Sequence, residues 1–254
     1  MAVSLQSIMR GGSDRAPMVV IHSSPGMGKT TFAASAPDPV FIRTEDGLGD
    51  LNVNTFPLLA SVQDVMDALA SLYEDGHGFK TVVIDSLSAL EPLIWDRVAQ
   101  DHQVDSIEGL GYGKGYVYAM AYWREIVSAC YGLAQRGVMP IMIAHSEVVK
   151  FDAPDADPYD RYQIKLHKRT FAHLYEQADV IGFAHEPVYV RKENDKDTKG
   201  KAKPKGERQL RVVQSPAVIA KNRYHMPETM PLDWDAFAAY LPNIGTTEGD
   251  SNHE

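Results

Sequence analysis

Apolar, β-branched runs bounded by turn residues recur at residues 18–21, 40–42, 81–84 and 138–143. None of them alternates cleanly between apolar and polar, which suits strands buried on both faces of a parallel sheet. Between the runs the spacing becomes helical. Ser61 is placed as an N-cap, and Val62, Val65, Met66, Leu69 and Leu72 follow at helical intervals until Gly76 and Gly78 stop the element. Residues 116–136 form a second such stretch, closed by Gly137. Strand and helix in alternation predict an α/β domain, a mostly parallel central sheet flanked by helices with right-handed crossovers.

After Asp179 the rhythm changes. Short β-like runs at 180–184, 187–191, 209–213 and 218–220 have no helix between them and predict an antiparallel extension of the same sheet. The polar stretch 193–207 reads as a Lys-rich hairpin loop. Residues 234–241 predict a short last helix capped by Asp233, and 243–254 a disordered tail. The expected organisation is one core over residues 1–242.

Composition changes this picture little. The 254 residues carry 44% hydrophobic and 23% charged side chains, as in an ordinary globular chain. No apolar run reaches the ~20 residues that span a bilayer, and the first ten residues lack a signal-peptide block, so no membrane and a cytoplasmic location are expected. The single cysteine, Cys130, lies on an apolar helical face and reads as a buried, inert thiol. A net charge of −9 argues against indiscriminate attraction to nucleic acid. Basic residues still cluster locally: nine Lys or Arg stand against four acids between 191 and 211, and Arg161, Lys165, Lys168 and Arg169 form a second group.

The chemistry is concentrated after the first strand, in Ser23, Ser24, Pro25, Gly26, Met27, Gly28, Lys29, Thr30 and Thr31. A strand, a glycine-rich turn and Gly-Lys-Thr opening a helix form a phosphate-binding loop. Its backbone N–H groups enclose phosphate oxygens, Lys29 reaches the outer phosphates, and the Thr30 hydroxyl is offered to magnesium. ATP and magnesium are the implied ligands. Ser23 departs from the strict pattern, which has glycine there. The run 81–84 ends in Asp85, a carboxylate suited to hold the magnesium through water.

Residues 40–48, Val-Phe-Ile-Arg-Thr-Glu-Asp-Gly-Leu, resemble the RecA-type ATPase strand that ends in a catalytic glutamate, which matches Glu45. Residues 141–146 resemble the strand whose terminal polar residue senses the γ-phosphate, with His145 where many relatives carry glutamine. Ala220-Lys221-Asn222-Arg223-Tyr224 is similar to the element by which RecA-like oligomers place cations on a neighbour's nucleotide, with Arg223 as arginine finger and Lys221 beside it. The whole order resembles phage RecA-like, core-only ATPases and single-strand annealing proteins. That resemblance implies a RecA-like fold, ATP hydrolysis, single-stranded DNA as partner, a homo-oligomeric filament or ring with composite sites, and a phage single-strand-binding protein as a further partner, inside a bacterial host. A ring-forming helicase-like motor and a non-catalytic ATP-gated assembly module are the competing readings.

In such proteins two loops meet DNA. The first corresponds to residues 107–118, where glycines alternate with Tyr112, Lys114, Tyr116 and Tyr118, giving faces for bases and a cation for phosphate. The second corresponds to 147–168. Its acidic run 152–158 repels phosphate, which leaves Arg161, Lys165, Lys168 and Arg169 as contacts.

Overall fold

The computed structural model describes residues 15–242 except 75, 192–200 and 205. Most of the Lys-rich loop at 193–207 and the tail 243–254 therefore lie outside the described residues. The first strand β1 (Val19–Ser23) is buried at every position and runs through the phosphate loop into α1 (Lys29–Ala34). Then follow β2 (Pro39–Arg43), β3 (Asn54–Leu58), α2 (Val62–Tyr73), β4 (Thr81–Asp85), α3 (Leu87–Asp101), α4 (Lys114–Gln135) and β5 (Met139–Phe151). The chain continues through β6 (Tyr159–Ile164), α5 (Lys168–Gln177), β7 (Val180–His185), β8 (Val188–Arg191), β9 (Lys201–Pro204), β10 (Gln209–Arg211), β11 (Lys221–Asn222), β12 (Thr229–Pro231) and α6 (Trp234–Ala238).

The main sheet has the order β12-β10-β7-β1-β5-β4-β2-β3, with β6 paired to β5 and β11 paired to β7. Pairing is parallel from β7 across to β3 and antiparallel for β10, β11 and β12. Strand β1 thus lies mid-sheet, and β4 and β5 separate it from β2. The order matters for chemistry, because ligands of open α/β sheets bind beyond the carboxyl ends of the strands.

Local signals account for many of these elements. The Ser61 side chain accepts from the backbone N–H of Asp64, and α2 buries Val62, Val65, Leu69 and Leu72 on one face. Asp233 caps α6 by accepting from the backbone N–H of Ala236. Phe32 of α1 packs against Trp234 and Phe237, which fastens the helix after the phosphate loop to the end of the described chain. Cys130 is buried in α4, and burial pushes its thiol up to about 12, which leaves it inert. No helix among the described residues is long and apolar enough to cross a membrane.

Four expectations are corrected. The run 187–191 does not extend the main sheet: β8 pairs with β9 in a separate two-stranded ribbon. The run 218–220 is not a regular strand, since Val218 makes only isolated bridges and the pairing to β7 comes from Lys221 and Asn222. The stretch 147–168 is not mainly a loop. Strand β5 runs on to Phe151 and pairs with β6 from Ser146↔Ile164 to Phe151↔Tyr159, while Lys168 opens α5. The stretch 107–118 is not one continuous loop either, because a single 3-10 turn spans Ile107–Leu110 and α4 begins at Lys114.

Candidate functional site

The loop after β1 makes its turn with Gly26 at φ +76° and Gly28 at φ +94°, left-handed conformations that favour glycine. Lys29 then folds back over the turn. Its ammonium donates to Ser23 Oγ at 2.9 Å and to the Ser24 carbonyl at 3.2 Å. Ser23 is itself buried and donates to the Ser24 carbonyl at 2.7 Å. The serine that departs from the glycine pattern therefore supplies an acceptor that holds the lysine. Burial lowers the Lys29 pKa, opposed by the carboxylates of Asp85 and Glu45.

Opposite the loop, the ends of β2 and β4 are tied together. Thr44 N–H donates to the Asp85 carbonyl at 2.8 Å and the Thr44 hydroxyl to the Ser86 carbonyl at 2.7 Å. These bonds fix Asp85 so that its Oδ2 accepts from the Thr30 hydroxyl at 2.9 Å. Burial raises the Asp85 pKa, the Thr30 bond lowers it, and the nearby Glu45 raises it further. Glu45 follows β2 and meets His145 of β5, with Nε2 3.2 Å from Oε2. The His145 backbone N–H donates to Ser88 Oγ at 3.0 Å, and its carbonyl accepts from Lys165 N–H at 2.8 Å.

Lys29, Thr30, Glu45, Asp85 and His145 line one cavity of about 390 Å³, bounded further by Pro25, Gly26, Met27, Gly28, Thr31, the turn after β2 with Gly47, Leu48 and Leu51, and Arg208. A hydroxyl and a carboxylate side by side are hard oxygen donors that suit magnesium. A glycine turn with a lysine over it suits a polyphosphate. The residues present thus fit both groups.

Residues 15–224 match the AAA_24 family, described as an AAA domain. The chain belongs to that family. The match takes in the phosphate loop, Asp85, Glu45, His145 and the Lys221–Arg223 segment of this AAA domain. No curated protein matches it. Among solved structures, the crystal structure of the RadB recombinase has 15% sequence identity and a TM-score of 0.40, covering 75% of this chain and 87% of that one.

The remaining expected residues lie elsewhere on the AAA domain. Lys221 and Arg223 are at the entry end of β7, the end of the sheet away from the phosphate loop. The Lys221 ammonium donates to the Tyr175 carbonyl at 2.6 Å. Arg223 donates to Asp179 Oδ1 at 2.8 Å and to the Glu176 carbonyl at 3.0 Å. Neither touches the chain's own cavity.

Of the DNA candidates, Tyr112 projects fully into solvent and Lys114 is exposed at the start of α4. Tyr116 instead stacks on His167 at 4.2 Å, meets Trp95 edge-on and donates to Glu108 at 3.3 Å, so its ring faces are partly occupied. Through His167 it neighbours Lys168 and Arg169, both exposed, and Lys165 lines the same shallow hollow as Trp95 and His167. Arg161 lies on β6 with its guanidinium 3.8 Å from the Phe151 ring centroid.

Sequence reasoning missed Arg208 as a site residue and counted it only among the basic residues of 191–211. The available signal was topological: a strand returning antiparallel beside β7 must begin at the phosphate-loop end.

Proposed function

We propose that the chain binds magnesium ATP in this cavity and hydrolyses it, serving as an ATP-dependent, single-stranded-DNA-binding recombination or annealing protein of a phage or prophage that works as an oligomer. The observation that carries the reading is the convergence of Lys29, Thr30, Glu45, Asp85 and His145, brought by β1, β2, β4 and β5 and the turns that follow the first three, on one cavity. Lys29 and the loop N–H groups bind and orient the phosphates. Thr30 and Asp85 hold the metal, which when bound neutralises charge on the phosphate oxygens. Glu45 accepts the proton of the attacking water, and His145 orients Glu45 through their shared contact.

The annealing role and the phage origin are supported by the motif order across residues 18–225. DNA contact is supported by the exposed Tyr112 and Lys114 and by the cations Lys165, Lys168 and Arg169 near Tyr116. The distance of Lys221 and Arg223 from the chain's own loop supports a role toward a neighbouring subunit's nucleotide.

Phosphate release measured with and without magnesium, and with and without single-stranded DNA, tests the proposal. Magnesium-dependent turnover that DNA stimulates and Lys29→Ala abolishes is expected. Turnover indifferent to Lys29→Ala overturns the site, and annealing of complementary strands that proceeds equally without nucleotide overturns the ATP-dependent role.

A further inference from the structure

Among the described cations, Arg208 and Lys29 are the two that line the cavity, and Arg208 comes to it from far along the chain. It immediately precedes β10, whose first residue Gln209 pairs with His185 at the exit end of β7, and β7 runs parallel to β1. The backbone at Arg208 is fixed there, because Leu232 N–H donates to its carbonyl at 3.0 Å. From this anchor the side chain crosses to the phosphate loop. Its Nη1 lies 2.9 Å from the point where a Cβ on Gly28 would stand, and the residue lines the cavity with Lys29, Thr30 and Glu45.

Nothing among the described residues pairs with that guanidinium. By contrast Lys29 is held by Ser23, Arg211 by Glu228, Arg97 by Asp101, and both Arg15 and Arg223 by Asp179. The exposed Arg208 head, Lys29 and the turn of backbone N–H groups bring cations and N–H donors to one cavity, which the carboxylates of Glu45 and Asp85 also line. The arrangement becomes favourable when a polyanion enters between the cations.

We propose that Arg208 contacts the phosphates of the chain's own nucleotide, gripping a nucleoside polyphosphate from the C-terminal β layer while Lys29 holds it from the loop. The proposal rests on the phosphate-loop reading above. A planar guanidinium can give two parallel N–H donors to phosphate oxygens, which a lysine at the same place cannot. Gly28 is held to glycine by its left-handed φ, and the absence of a side chain there leaves the Arg208 head free to lie against the loop. The contact also links nucleotide occupancy to β10 and β12, a connection that the loop alone does not make.

The test is the affinity of a fluorescent MgATP analogue for the full chain, measured for the wild type, Arg208→Ala, Arg208→Lys and Lys29→Ala. Arg208→Ala is expected to bind on the order of tenfold more weakly, with a shallower dependence on salt and an unchanged melting temperature in the absence of nucleotide. Arg208→Lys should recover only part of the affinity. Wild-type affinity and salt dependence in Arg208→Ala overturn the proposal while leaving the phosphate-loop reading intact, provided Lys29→Ala loses binding. A wild type that binds no nucleotide, or Lys29→Ala binding as well as the wild type, overturns both.

Discussion

His145 Nε2 lies 3.2 Å from Glu45 Oε2, although the two residues are a hundred positions apart in sequence. Their strands are not neighbours: β4 runs between β2 and β5, and the side chains meet beyond its end, where Asp85 lies. A carboxylate positioned by an imidazole next to a phosphate cradle has the geometry of an oriented proton acceptor. Glu45→Gln keeps the shape and loses the base. It is expected to bind ATP with wild-type affinity and to hydrolyse it on the order of a hundredfold more slowly. His145→Ala removes the orienting partner and leaves the base, so its loss of turnover should be smaller. Nucleotide titration alongside single-turnover hydrolysis checks both, and a parallel loss of binding in Glu45→Gln would assign Glu45 to folding.

Directly behind the phosphate loop, His22 is entirely buried, with Nδ1 2.8 Å from Ser146 Oγ and Nε2 2.9 Å from the Ile219 carbonyl. Burial pushes its pKa down from 6.5 to about 4, against the Ile219 bond and with the help of Lys29. The folded chain therefore holds a neutral ring where the unfolded chain would take up a proton. Stability from this residue is fully present above pH 6.5 and is lost as pH falls toward 4, by about 3 kcal/mol in total. His167, His173 and His185, lowered in the same direction but more exposed, slope the same way, while Asp85 and Glu91, raised by burial, slope oppositely. Comparison with a variant isolates the term. His22→Asn should be less stable than wild type at pH 7.5, yet lose less on going to pH 5 in urea denaturation. Parallel pH slopes for the two proteins would rule the buried histidine out as the cause.

Tyr112 and Tyr116 look alike in the sequence and differ in the structure. Tyr112 is free in solvent, whereas Tyr116 is stacked on His167 and packed against Trp95. Tyr112→Ala is expected to weaken single-strand binding by about 1–3 kcal/mol if one base stacks on it, with no change in thermal stability. Tyr116→Ala should instead lower the melting temperature, because it removes the edge of a packed aromatic cluster. Fluorescence anisotropy with a labelled oligonucleotide, paired with thermal melts, distinguishes the two. Unaltered DNA affinity in Tyr112→Ala would move the contact toward Lys165, Lys168 and Arg169.

The core strands and the nucleotide cavity were legible because their signals are local. A buried strand, two glycines and Lys-Thr specify the loop within a dozen residues, and Asp85, Glu45 and His145 are each polar residues at the end of an apolar run. The elements that were missed lack such contrast. Strand β3 is mostly exposed and contains Pro57, so it shows neither an apolar run nor alternation. Helix α5 buries only Thr170 and Leu174, too little for an apolar stripe. The outer half of β5 exposes alternate residues and leads into the acidic run 152–158, which made a paired hairpin read as a loop. Arg208 was invisible for a different reason. Its approach to Gly28 depends on the pairing of Gln209 with His185, a register set by tertiary structure rather than by any local pattern.

Asp179 carries the strongest test of the assembly reading, because its buried carboxylate is shared. It accepts from Arg15 at 2.7 Å, from Met18 N–H at 2.8 Å and from Arg223 at 2.8 Å. Arg223 is therefore a structural partner within one subunit, and a finger toward a neighbour's nucleotide would have to leave that partner. In Arg223→Ala the carboxylate keeps Arg15 and the Met18 N–H, and Arg223 is half exposed, so the stability loss should be about 1 kcal/mol or a fall of about 2–4 °C in melting temperature. If the arginine acts only on Asp179, turnover well below that temperature stays at the wild-type level. If it completes a neighbour's site, Arg223→Ala binds ATP normally and hydrolyses it slowly, and wild-type turnover per subunit rises with protein concentration. Mixing separates these outcomes without relying on stability. A subunit with Arg223→Ala keeps its phosphate loop and one with Lys29→Ala keeps its finger, so mixed assemblies contain some complete sites and activity should partly return. Mixed oligomers that form and remain inactive would confine Arg223 to its bond with Asp179 and leave catalysis to the residues of a single subunit.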